Sequence, residues 1–116
     1  MNNKEKRKHP RFETTNLLNF VCRGKNGEAR HQGMGRTLNV SETGIRLETY
    51  HPIDPQWAIS ITIGFEEDLV DIQGSVIFQK ESKEDTYEAG IQFSKISDHE
   101  RDILVKFIQA FEERNN

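Results

Sequence analysis

Two short clusters concentrate the groups that could recognise a phosphorylated ligand. The first is Arg7-Lys8-His9-Pro10-Arg11, two arginines separated by three residues. A guanidinium chelates phosphate through two parallel hydrogen bonds and stacks on flat rings, whereas lysine acts mainly as a point charge. Pro10 lacks an N–H and biases His9 toward an extended conformation, so this segment reads as a strap rather than a helix. Fully extended, the strap sets the two arginine roots about 13 Å apart. The second cluster is Asn39-Val40-Ser41-Glu42-Thr43-Gly44. Strand periodicity puts Asn39 and Ser41 on one face, pointing outward as hydrogen-bonding partners, and puts Val40 with Leu38 in the core. Gly44 permits a positive φ and a close backbone approach that a β-carbon would hinder. Each cluster alone also has a plain reading, a solvated basic tail in one case and a β-turn with local side-chain bonds in the other.

Short strands must carry these groups. From Phe12 the chain reads as strand, through Leu17, Leu18, Phe20, Val21 and Cys22 to the hairpin turn Gly24-Lys25-Asn26-Gly27. Gly33 and Gly35 frame the start of the next strand, with Leu38 and Val40 on its inner face. After the turn Ser41–Gly44, Ile45 and Leu47 alternate with Arg46 and Glu48. Trp57, Ile59, Ile61, Ile63 and Phe65 keep period two without a break. An acidic turn at Glu66, Glu67 and Asp68 leads to Ile72, Gly74, Val76 and Phe78. A charged turn, Lys80 to Asp85, precedes Tyr87, Ala89, Ile91 and Phe93. The end differs. Ser97 and Glu100 form a capping box, and Ile103, Leu104, Phe107, Ile108 and Phe111 make one helical stripe. The expected fold is all-β with a C-terminal helix, an antiparallel barrel or sandwich over 11–96 and a helix with its tail over 97–116. The helix should run from about Asp98 to Glu113 and lie against the barrel, where it can close an open end.

The charge of −3 conceals an asymmetry. Residues 1–11 carry five cations against Glu5 alone, a net +4, which leaves −7 on the rest. A basic arm on an acidic body suits an anionic ligand but opposes RNA or single-stranded DNA, because a polyanion would have to avoid most of the surface. Cys22, the single cysteine, cannot pair within the chain and fits a reducing cytoplasm as a buried structural residue. No apolar run approaches the roughly 20 residues that cross a bilayer, and the N-terminus lacks a signal peptide's apolar segment. His31, His51 and His99 show no metal-ligand spacing. With no nucleophile–base pair and no Gly-rich phosphate loop, an enzyme has no positive support.

In order and spacing, the two clusters resemble the PilZ family, whose pattern is RxxxR followed about 30 residues later by (D/N)xSxxG. Gly74, Val76 and Phe78 match the family's glycine–valine–aromatic strand, and Gly90, Ile91 and Phe93 its last strand, so the resemblance spans about 6–110. It implies a six-stranded antiparallel barrel that binds the second messenger cyclic di-GMP. In that ligand, guanine O6 and N7 form the acceptor pair that a guanidinium fork addresses. The residues carried over are Arg7, Arg11, Asn39, Ser41 and Gly44, with Lys6, Lys8, His9 and Phe78 as secondary candidates. Asn39 stands where many relatives have aspartate, and its amide both donates and accepts. Lys6 occupies the place associated in the family with one or two bound nucleotides and does not settle the number. Phe78 holds an aromatic position that can touch guanine, yet alternation also groups it with Val76 and Gly74 for the core, and both readings stay open. Arg36 and Arg46 read as surface charge able to add attraction.

The expected mechanism is ordering of residues 1–10 on ligand binding, a change that an unknown downstream protein reads in motility, biofilm or secretion control. The alternative is a protein-interaction module of the same fold that binds no nucleotide. Neither reading requires a cofactor, a metal or a nucleic acid polymer.

Overall fold

Strict alternation from Trp57 to Phe65 underlies the barrel strand Ala58–Phe65. A computed structural model describes residues 17–82 and 85–115. The arginine cluster, with Lys6, Arg7, Lys8, His9 and Arg11, and the strand start expected at Phe12 lie outside the described residues. Six strands are present: β1 (Leu17–Arg23), β2 (Ala29–Val40), β3 (Gly44–Thr49), β4 (Ala58–Phe65), β5 (Asp68–Glu81) and β6 (Tyr87–Phe93). They close into a barrel in the order β1-β2-β3-β6-β5-β4, antiparallel throughout. Helix α1 (Asp98–Asn115) follows and packs on β4 and β5. The fold expected from the sequence is therefore present.

Inward residues of all six strands meet in one core, which α1 completes with Ile103, Leu104 and Phe107. Each such aliphatic or aromatic side chain contributes about 1.5–3 kcal/mol on burial. The apolar stripe of α1 thus serves its own domain. Its start is fixed as expected: the Glu100 amide donates to Ser97 Oγ at 3.2 Å, and the Ser97 amide donates to Glu100 Oε1 at 3.0 Å. The helix runs to Asn115, two residues beyond the expected end.

The β3–β4 connection bridges strands that are not neighbours, and it carries Ile53 into the core at 1% exposure. The Gln79 side chain secures it. The Ile53 N–H donates to Gln79 Oε1 at 2.7 Å, and Gln79 Nε2 donates to the Ile53 carbonyl at 2.9 Å.

Strand boundaries also differ from the sequence reading. β2 begins at Ala29, so Gly33 and Gly35 lie inside it. Neither glycine breaks the strand, because its pairing to β1 runs continuously through both. β5 extends to Glu81, and Asp68 already belongs to it, because the turn needs only Glu66, at φ 56°, and Glu67.

Cys22 is fully buried in β1, opposite Ile59. Burial first, and the Asp54 carboxylate second, push its thiol up to about 11 from 9.0. The folded state keeps the thiol proton in a window where the unfolded chain loses it, so stability should decline as pH rises from 9 toward 11. Two pH units correspond to a loss of roughly 2–3 kcal/mol. Cys22→Ala should flatten that decline in urea titrations run at pH 8, 9.5 and 11. An equal slope in both proteins would contradict the assignment.

Candidate functional site

A β-bulge interrupts alternation on each of two strands, and together these irregularities build the site. In β2, Thr37 faces Leu47 and Asn39 faces Arg46, so Leu38 is an extra residue. Thr37 and Val40 turn inward, Leu38 is only half-buried, and Asn39 faces solvent. The expectation that Leu38 shares Val40's core face is corrected: a bulge shifts the phase by one residue. The outward placing of Asn39 and Ser41 holds.

In β5, Val76 faces Ile91 and Phe78 faces Gly90, leaving Ile77 as the extra residue. Phe78 is thereby turned from the core to the outer surface at 44% exposure, with Ile77 at 61% beside it. Of the two readings left open for Phe78, the core is excluded. The ring lies over Gly90, and a β-carbon there would collide with the ring edge.

Gly44 sits where the turn rejoins the sheet, paired with Gln92 of β6. A β-carbon at Gly44 would stand 2.5 Å from the Ile91 carbonyl oxygen. Its backbone is not in the positive-φ region, which among glycines holds only Gly27, at 84° in the β1–β2 hairpin. The expected close approach is therefore the reason for glycine here, and the expected positive φ is not.

These elements converge on one groove of about 200 Å³ on the outer face of the barrel. Asn39, Ser41, Gly44, Arg46, Ile77, Phe78 and Gly90 line it, with Val40, Ile45 and Ile91 beneath. Sequence reasoning grouped Asn39, Ser41 and Gly44 and left Phe78 open; the structure brings all four to this groove. The sequence reading took Arg46 for surface charge and missed Ile77. The signal for Arg46 was its position two residues beyond Gly44, on the outward face of β3; nothing in strand periodicity announces Ile77. Arg36 does not line the groove. Its guanidinium is bound to Glu48, Nε at 3.0 Å and Nη2 at 2.9 Å from Oε1.

Within the groove the polar groups differ in commitment. The Ser41 hydroxyl accepts from the Thr43 amide at 3.2 Å and lies 3.2 Å from Thr43 Oγ1. It also donates to the Gly44 carbonyl at 3.4 Å, so the plain turn reading is fulfilled as well. The Asn39 side-chain amide has no hydrogen-bond partner among the described residues. Arg46 Nη1 reaches Glu88 Oε2 at 3.2 Å, and Glu88 Oε1 lies 3.6 Å from Lys80 Nζ. The turn is tied to neighbouring elements: the Phe93 amide donates to the Thr43 carbonyl at 2.9 Å, and Arg101 of α1 meets Glu42 at 3.1 Å. The groove therefore offers an amide, a hydroxyl, a half-exposed guanidinium and an apolar wall. That set can hold a planar polar ring beside an anion. Among the described residues no group of His, Cys, Asp or Glu could hold a metal ion, and no helix is long and apolar enough to cross a membrane.

Comparison with known proteins bears on the family and the fold. No curated protein matches the chain. Among solved structures, MrkH of K. pneumonia in its apo state resembles it with a TM-score of 0.56 at 17% identity. The match covers 85% of this chain and 49% of MrkH, so the chain spans about half the length of that protein, and the likeness is one of fold. The family model of the PilZ domain matches residues 5–110, and with nearly the whole chain covered, the protein belongs to the PilZ domain family.

Proposed function

We propose that the protein is a cyclic di-GMP receptor whose N-terminal residues close over the groove when the nucleotide binds. The observation that carries this reading is the convergence of Asn39, Ser41, Gly44 and Phe78 on one outer groove. Ladder geometry adds reach. β1 enters with Leu17 opposite Arg36, running antiparallel to β2. The six residues back to Arg11 can span about 20 Å, and the five from Arg36 to Ser41 span about 17 Å, so Arg11 can reach the turn. Arg7 and Arg11 then address phosphate and guanine, with Lys6, Lys8 and His9 as supporting contacts. Asn39 and Ser41 meet a guanine edge, and Phe78 offers its ring.

Fixing backbone costs about 1–2 kcal/mol per residue, so ordering about six residues costs several kcal/mol. Hydrogen bonds to charged groups return roughly 1.5–3 kcal/mol each, so two arginines and the Asn39–Ser41 face suffice. Residues 1–10 act as the arm, the barrel as its platform, and the difference between free and closed arm is what a downstream protein reads. The thiol of Cys22 and the acidic body suit action in the cytoplasm without catalysis or a cofactor.

Titration with cyclic di-GMP under calorimetry, together with amide spectra, tests the proposal. Saturable heat with shifts in residues 1–12, Asn39, Ser41 and Phe78 is expected. Absence of heat and shifts would reject it in favour of an interaction module. That second reading draws on Leu17, Met34 and Tyr50, which are exposed around a separate groove of about 400 Å³.

A further inference from the structure

The cation in the middle of the groove lies outside both family motifs. Arg46 is the cross-strand partner of Asn39 on β2 and of Gly90 on β6. Gly90 has no side chain, and the Phe78 ring lies over it on that side of Arg46. Its side chain is 46% exposed, and the bond it makes to Glu88 engages a single nitrogen, Nη1. A guanidinium has five N–H donors in a fixed fork, so most remain available to a ligand. Glu88, 14% exposed, is the fixed partner, and Lys80 shares its other oxygen. The carboxylate therefore does two things. It orients the arginine beside Asn39, and it neutralises part of the positive charge that an anion entering the groove would meet.

From this geometry we propose that Arg46 is a third guanidinium contact for the nucleotide, supplied by the barrel itself and directed at a phosphate, and that Glu88 is a positioning residue which lowers its attraction. The inference rests on the receptor reading above. Arg46 differs from the arm's arginines in being on a strand, so it binds without any ordering of its backbone and marks the place where the ligand first docks.

The test is calorimetric titration of cyclic di-GMP into the wild-type chain and into Arg46→Ala, Arg46→Lys, Glu88→Gln and Arg11→Ala, with a thermal melt of each. Arg46→Ala is expected to weaken binding roughly tenfold to a hundredfold, the loss of one charge-assisted contact. Arg46→Lys should recover much of that loss, because a phosphate accepts a point charge. Glu88→Gln should raise affinity severalfold, an effect that a merely structural carboxylate would not have. Wild-type affinity in Arg46→Ala, while Arg11→Ala abolishes binding, would overturn the inference and leave the receptor reading standing. Failure of the wild-type chain itself to bind would overturn both. A variant that melts well below the wild type is judged by its lysine or glutamine counterpart.

Discussion

Arg7→Ala and Arg11→Ala are each expected to abolish cyclic di-GMP binding by calorimetry while leaving the melting temperature unchanged within a degree or two. A bidentate guanidinium contact to phosphate or guanine supplies two charge-assisted hydrogen bonds, about 3–6 kcal/mol in all, so losing it weakens binding roughly 10²–10⁴-fold. The closed arm amplifies the loss, because the ordering cost of its backbone is then borne by fewer contacts. Stability should be spared for a separate reason. Among the described residues the buried core extends from Leu18 to Phe107, on the six strands, the β3–β4 connection and α1. Lysine at either position keeps the charge but loses the fork, so partial affinity is expected there. Normal affinity in both alanine variants would reject the arm as the clamp.

The second large effect concerns two glycines that face different neighbours. A methyl group at Gly44 meets backbone, the Ile91 carbonyl oxygen at 2.5 Å. Backbone in a closed barrel cannot step aside alone, because β6 is held by β3 on one side and β5 on the other. Gly44→Ala should therefore cost about 1–3 kcal/mol, in line with overpacked interiors. At about 4–8 °C per kcal/mol for a domain near this size, the melting temperature should fall by several degrees or more. Binding should weaken too, since Gly44 and Ser41 share one turn. A methyl group at Gly90 first meets the Phe78 ring, the far end of a side chain that borders solvent. Gly90→Ala should thus cost less stability yet re-aim the ring, changing the aromatic proton shifts of Phe78 and the nucleotide affinity. Equal melting losses in the two variants would contradict this difference between a rigid and a yielding neighbour.

The contrast also marks how far sequence reasoning reached. The alternation from Trp57 to Phe65, the Asn26-Gly27 hairpin and the reciprocal Ser97–Glu100 cap are local patterns, and each produced the element that local physics dictates. The groove was legible in part, because Asn39, Ser41 and Gly44 are neighbours in the chain. Phe78 was ambiguous for a definite reason. Period two assigns faces correctly only while no residue is added, and Ile77 is one residue too many. Leu38 misleads in the same way on β2. Arg46 was read as surface charge able to add attraction, and its neighbours Gly90 and Glu88, more than 40 positions away, are adjacent only after β3 pairs with β6. A glycine, similarly, announces that a side chain is unwelcome without saying whether torsion or crowding forbids it.

Each of the six strands has a strand neighbour on both flanks, although some ladders are short: β2 meets β3 only from Arg36 to Val40, and β1 meets β4 only from Phe20 to Arg23. A protein with an open sheet can recruit others by lending them an unpaired strand edge, a mode that reads little of the visitor's side chains. Among the described residues no strand has a wholly free flank, which narrows that route. Under the receptor reading, a downstream protein is then recognised mainly through side-chain surfaces, whose residues can be exchanged one at a time without disturbing the hydrogen-bonded wall behind them.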